Sequence, residues 1–148
     1  MQFHIFAKNK FLGMKTSSFI TLSILFFLAS CKPSQKELDK LLDKAIEEIR
    51  TSNNKNGIED LNKILEYDKN NYQAYYYRAN AKFNMKKGKE AMIDYNEAIA
   101  LKPDYADAFF NRALCKQFLN DKSGMCRDLA KANALGKENI RDMLNDCQ

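Results

Sequence analysis

The 148-residue sequence predicts an all-α solenoid of three helix-turn-helix repeats closed by a capping helix. Three observations carry that expectation. The chain repeats itself at a spacing of 34 residues without a gap: adding 34 takes Leu41 to Tyr75 and Phe109, Ala45 to Ala79 and Ala113, Asp60 to Asp94 and Asp128, and Leu61 to Tyr95 and Leu129. A period of 20 to 50 residues marks arrays in which each unit buries its apolar face against its neighbours. Within each unit the apolar residues recur at helical spacing in two runs parted by a short polar turn. Behind the third unit, Ile140, Met143, Leu144 and Cys147 form a stripe at i, i+3, i+4 and i+7, which an array needs to cover its last apolar face.

Residues 1–30 have a different character. They hold no acidic side chain, carry Lys8, Lys10 and Lys15, and end in an apolar run from Phe19 to Ala29. That run is eleven residues long, whereas a spanning helix needs about 20, so the segment reads as an export signal and not as a membrane span. Met14-Lys15 begins a compact signal of its own, and translation starts there or at Met1. The signal closes on Leu28-Ala29-Ser30-Cys31. This tetrapeptide resembles the lipobox of bacterial lipoproteins, and the resemblance implies that Cys31 is lipidated and becomes the first residue of the mature chain. Residues 31–37 then form a short tether to the first repeat. Its Lys32–Lys36 stretch reaches at most about 18 Å when fully extended, which holds the domain against a bilayer.

Without the signal, 21 basic residues face 19 acidic ones and the net charge is only +2. The dense basic run Lys86, Lys87, Lys89 brackets Gly88 at a turn, where solvation accounts for it, so no nucleic-acid footprint is expected. The single histidine, His4, lies in the signal, which leaves the mature chain without the commonest general base and metal ligand.

The three repeats run over 38–71, 72–105 and 106–139, with the capping helix at 137–148. The middle copy is clearest. Tyr75, Ala79 and Phe83 share one helical face up to Met85, the stretch from Lys86 to Gly88 breaks the pattern, and Ala91, Tyr95 and Ala98 resume it up to Leu101. Pro103 stops the second helix and suits the start of the next. Tyr75, Ala79, Ala91, Tyr95, Ala98 and Pro103 together resemble the signature of the tetratricopeptide repeat (TPR). Phe109, Ala113, Leu129 and Ala132 repeat it in copy three, where Met125 replaces the small residue and Gly136 the proline. Copy one departs further, with Gly57 at the small position and Ile64 and Lys69 in place of alanine and proline. The resemblance implies a right-handed solenoid whose concave side receives extended peptides or partner helices.

Two sets of residues follow the period and are read as structure. Lys44, Arg78 and Arg112 recur in register, as do Asp60, Asp94 and Asp128. A catalytic pair would be confined to one copy, whereas a pair repeated three times bridges helices, with modest energy if it is exposed. The cysteines left after lipidation are Cys115, Cys126 and Cys147. Export permits a disulfide, either Cys126 with Cys147, pinning the cap, or Cys115 with Cys126, joining two helices of one repeat. No C-x-x-C spacing occurs and no histidine completes a ligand set, so neither metal nor cofactor is expected.

Function is then expected on the groove face of each first helix. Leu42, Ile46 and Ile49 supply it in copy one, Tyr76, Asn80, Phe83 and Asn84 in copy two, and Phe110, Leu114 and Gln117 in copy three. Aromatics supply contact area and amides pair with peptide backbone. Some tetratricopeptide domains hold a C-terminal carboxylate with lysines, arginines and asparagines. Here Leu42, Ile46, Tyr77, Asp107 and Asn111 stand near those positions, which disfavours an adaptor for such tails. The chain therefore reads as a scaffold or assembly factor anchored in the cell envelope, binding a protein or peptide. Lys32 follows the cysteine where some inner-membrane lipoproteins carry aspartate, and points to the outer membrane. A self-associating spacer is the alternative. A hydrolase using Glu47 and Glu48 or Asp104 and Asp107 lacks any nucleophile or metal motif, so no catalytic residue is expected.

Overall fold

The computed structural model describes residues 32–147, so the signal segment and Cys31 lie outside the described residues. Seven helices follow one another among them: α1 Gln35–Arg50, α2 Asn54–Tyr67, α3 Tyr72–Asn84, α4 Gly88–Leu101, α5 Ala106–Phe118, α6 Lys122–Ala134 and α7 Arg141–Asn145. Each packs on the next in sequence, the short α7 least extensively, and the first helices α1, α3 and α5 also touch in turn. The second helices α2, α4 and α6 make no such contact with one another. First helices that crowd together while second helices splay apart produce a curved array with α1, α3 and α5 on its concave side.

The ends of the helices follow from local chemistry. Helix α1 begins three residues earlier than the sequence pattern suggests, because Glu37 reaches back to accept the Ser34 backbone N–H at 2.7 Å. At α3 and α6 the carboxamide of Asn71 and the carboxylate of Asp121 accept the N–H groups of Ala74 and Gly124. The turns inside the three repeats put Ser52, Lys86 and Asn120, spaced 34 apart, in the left-handed region at φ 66°, 62° and 63°. In each, the next residue's N–H returns to a carbonyl five residues back, from Asn53 to Glu48, Lys87 to Lys82 and Asp121 to Lys116. Pro103 lies just beyond the end of α4 and cannot extend it.

The small residues sit where helices touch most closely. Ala45, Ala79 and Ala113 on the first helices, and Ala98 and Ala132 on the second, are fully buried, among Leu61, Ile64, Tyr95 and Leu129. Gly57 marks the tightest crossing: a Cβ there would lie 2.6 Å from Ile49 Cγ1 and 3.1 Å from the Ala45 carbonyl oxygen. In copy three Met125 fills the same register position, buried in one cluster with Ala113, Leu129 and the α7 residues Met143 and Leu144.

The capping helix is shorter than the expected 137–148. Gly136, at φ 88°, ends α6, and Lys137 spends its ammonium on Asp107 at 2.6 Å, so helix resumes only at Arg141. The apolar stripe still covers the last repeat, with Ile140 buried against Phe109 and Ala132, and Met143 and Leu144 against Ala113 and Leu129. Cys126 and Cys147 are joined as a disulfide with their Cα atoms 5.6 Å apart. Cys115 is a free thiol, fully buried; its Sγ donates to the Gly88 carbonyl at 3.2 Å, and burial pushes its pKa up, which keeps it unreactive.

The in-register charges are structural, and their carboxylates are not exposed. Asp60, Asp94 and Asp128 are buried, at 3%, 1% and 4% exposure. Arg78 forks onto Asp94 at 2.9 and 2.7 Å, and Arg112 onto Asp128 at 2.8 Å through both nitrogens. A second cation completes each set: Lys82 on Asp94 at 2.7 Å and Lys116 on Asp128 at 2.8 Å. In copy one, Lys44 replaces the arginine and bonds Asp60 at 2.6 Å. Glu48 stands where Lys82 and Lys116 do, so Lys63 supplies the second cation from α2 at 2.8 Å. The remaining guanidinium N–H groups reach back one repeat, Arg78 to Asn62 at 2.7 Å and Arg112 to Asn96 at 2.8 Å.

Two outcomes are expected. Ala98→Leu should overpack a fully buried crossing and cost about 1 to 3 kcal/mol in chemical denaturation, where Ile93→Leu on the exposed side of the same helix costs nothing measurable. For Asp60 and Asp128, burial pushes the pKa up, but the hydrogen bonds and charges of their paired cations outweigh it and hold both carboxyls below the ordinary aspartate value. A folded-state pKa below the unfolded one gives stability that is full above the ordinary aspartate pKa and lost as pH falls through the folded value. The urea midpoint should therefore hold steady at neutral pH and drop below about pH 4. Asp128→Asn should lose about 3 kcal/mol at neutral pH and show a shallower acid limb than the wild type.

Candidate peptide-binding groove

The concave layer α1, α3 and α5 encloses an open concavity of about 830 Å³. Copy one contributes Ile46, Ile49 and Arg50 from α1, Ser52 from the turn that follows and Asn54 from the start of α2. Helix α3 contributes Tyr77, Asn80, Phe83 and Asn84, and α5 contributes Asn111 and Leu114. Tyr95 reaches the floor from α4. Residues four apart on a helix share a face, which is why Ile46 and Arg50, and Asn80 and Asn84, come in such pairs.

A polar network holds the floor. Tyr95 Oη donates to Asn80 Oδ1 at 2.7 Å, and Asn111 Nδ2 donates to the same oxygen at 3.0 Å and to Tyr76 Oη at 2.9 Å. Four side chains from three helices are thereby locked in one orientation. Burial raises the pKa of Tyr76 against the partly offsetting hydrogen bonds of Asn80 and Asn111, and burial raises that of Tyr95 strongly, so both phenols stay neutral at any physiological pH. The rings of Tyr76, Tyr77 and Tyr105 stack beside the network, with Tyr76 4.8 Å from Tyr105 and 5.0 Å from Tyr77.

Charge is nearly absent from the lining. Arg50 is its one ionic side chain, and Glu47 already holds it with two bonds of 2.8 and 2.7 Å. Among the described residues no cluster of His, Cys, Asp and Glu could hold a metal ion, and no helix is long and apolar enough to cross a membrane.

Of the ten groove residues named from the sequence, Ile46, Ile49, Asn80, Phe83, Asn84 and Leu114 line the concavity together. Tyr76 lies beneath it, in the network. Phe110 does not join them: it packs under the cap against Leu144, with the Lys137 ammonium 5.2 Å above its ring. Gln117 faces a separate hollow with Asn120, Met125 and Asp146. Leu42 is buried in the first core. Asn111 and Tyr77 were named only as departures from a carboxylate-binding set. Their common register, 34 apart, was the signal that they share the groove wall.

No family model matches the chain, and no curated protein does. Solved structures do match. The first TPR domain of Spaghetti (RPAP3), bound to the HSP90 peptide SRMEEVD, superposes with a TM-score of 0.72 at 22% identity, over 80% of this chain and 95% of that one. The first TPR domain of human RPAP3 gives 0.70 at 23% identity, over 74% and 88%. The Yersinia enterocolitica type III secretion chaperone SycD, in complex with a peptide of the translocator YopD, gives 0.68 at 13% identity, over 77% and 88%. At these identities the likeness concerns the fold, which is TPR-like.

The network makes a quantitative expectation. Tyr95→Phe removes one of two donors to Asn80 Oδ1 without leaving that oxygen bare, and should cost about 1 kcal/mol in urea denaturation while the helical circular dichroism is kept.

Proposed function

We propose that the chain is a lipid-anchored scaffold or assembly factor of the bacterial cell envelope that binds a peptide or partner segment in its concave groove. The groove carries the reading: an open concavity lined by aliphatic, aromatic and amide side chains with a pre-set polar floor and no catalytic constellation around it. Two of the TPR-like neighbours, the RPAP3 domain with the HSP90 peptide SRMEEVD and SycD with a peptide of YopD, were solved with peptides bound, which supports it.

Anchoring rests on the sequence Leu28-Ala29-Ser30-Cys31. Because α1 begins at Gln35, only Lys32, Pro33 and Ser34 separate the proposed lipidated cysteine from the first helix, a reach of roughly 10 Å. Several acyl chains on Cys31 would hold the groove beside a membrane surface stably, and Lys32 favours the outer membrane.

Crosslinking in cells tests both parts. A photoreactive residue at Asn84 or Leu114 should give a discrete adduct that one at Ile93, on the exposed side of α4, does not. Cys31→Ser should move the protein from the membrane fraction to the soluble one. Equal adducts from Ile93 and Leu114 would remove the groove from the function, and membrane retention of Cys31→Ser would remove the anchor.

A further inference from the structure

We propose that the edge of the domain formed by the turns between repeats is a membrane-contacting surface, with the exposed side chains of Tyr67 and Leu101 entering the headgroup region of the bilayer. The proposal rests on the anchoring of Cys31 and goes beyond it by naming the surface that meets the lipid.

The topology sorts the turns onto two opposite edges. Helices α1 and α2 run antiparallel, because Gly57 at the start of α2 lies against Ile49 at the end of α1. Leu38, from the start of α1, shares a core cluster with Ile64 and Leu65 from the end of α2 and Ala74 from the start of α3. The start of α1 therefore lies on one edge with the turn that joins α2 to α3. The turn that joins α4 to α5 is beside it: Tyr72 and Tyr105 meet edge to face at 5.3 Å, and the Lys102 ammonium lies 5.1 Å from the centre of the Tyr72 ring. The turns inside the repeats form the other edge, where Asn84 bonds Asn54 and the rings of Phe83 and Phe118 meet at 5.7 Å. The length of α1, about 24 Å, separates the two edges.

Apolar exposure singles out the first of them. Four large apolar side chains are exposed among the described residues, and Tyr67 at 55% and Leu101 at 37% are the last residues of α2 and α4. Both thus stand on the edge where α1 begins. A tyrosine suits a bilayer surface because its ring enters the acyl boundary while its hydroxyl stays in water. The charges of the two turns do not oppose this. Asp68 accepts the Asn70 N–H and an N–H of the Asn71 carboxamide, each at 3.1 Å, and Asp104 lies 3.8 Å from the Lys102 ammonium. With Lys69 beside Asp68 and Lys102 beside Asp104, each turn is neutral, so apolar contact and not attraction to anionic lipid drives the seating. Only roughly 10 Å of chain joins Cys31 to α1, and a tether so short makes even a weak contact effectively intramolecular.

The chain has no tryptophan, so a single introduced one reports alone. Tyr67→Trp, Leu101→Trp and Phe118→Trp, the last on the opposite edge, would each be placed in the full lipidated chain. The vesicles are neutral phosphatidylcholine with brominated acyl chains, which quench indole on contact. Emission of the Tyr67→Trp and Leu101→Trp variants should fall about twofold or more against unbrominated vesicles, whatever the salt concentration, while that of Phe118→Trp is unchanged. Equal quenching of all three, quenching abolished by salt, or no quenching at residues 67 and 101 while the protein floats with the vesicles would overturn the proposal and leave the anchor standing. A chain that does not float with the vesicles would overturn the anchor and the seating with it.

Discussion

Each repeat is built around one buried carboxylate. Asp60, Asp94 and Asp128 sit on the second helices almost wholly out of water, a placement that is unfavourable unless every lone pair is met. Two cations from the surrounding helices meet them, and the arginines continue backward to an asparagine of the preceding repeat. The bond inside a repeat and the bond between repeats therefore share one side chain. Relative placement of neighbouring repeats, and with it the curvature of the groove, depends on that shared guanidinium as well as on the alanine contacts.

Much of this was legible because the period samples the same environment three times. Ala79 and Ala98, Tyr95 and Leu129, and the Asp–Arg register each recur where a helix crossing or a buried pair demands it. What escaped the sequence lies off the register. Asn111 reaches Asn80 and Tyr76 at separations of 31 and 35 residues, so no in-register comparison links them. The burial of the aspartates was also invisible, since alternation of polar and apolar residues does not distinguish an exposed pair from an enclosed one. Phe110 was placed in the groove because its helix position matches that of Tyr76. A Leu144 packed against it in the next turn of the array withdraws it.

The first copy shows how the scheme tolerates change. With Glu48 at the position of Lys82 and Lys116, the second cation has to come from Lys63 on α2, and one carboxylate oxygen of Glu48 is left buried with no partner. Lys44 is mostly exposed where Arg78 and Arg112 are mostly covered. The charge requirement of Asp60 is thus met by side chains that remain in water, and copy one has less holding it than its neighbours have.

The backward-reaching arginine gives the array a direction, and the first and last described repeats lack what would continue it. In copy one Lys44 stands where an arginine would reach back, and in copy three Ala130 replaces Asn62 and Asn96 as the receiver. Beyond it, α7 keeps the register of a fourth first helix, with Ile140, Met143, Leu144 and Cys147 at the places of Ala106, Phe109, Phe110 and Ala113, but Asp146 occupies the arginine's place with the opposite charge. Two copies set head to tail could stack their apolar layers only by omitting the one polar tie that joins repeats within a chain. The molecule is thereby biased against growing into filaments.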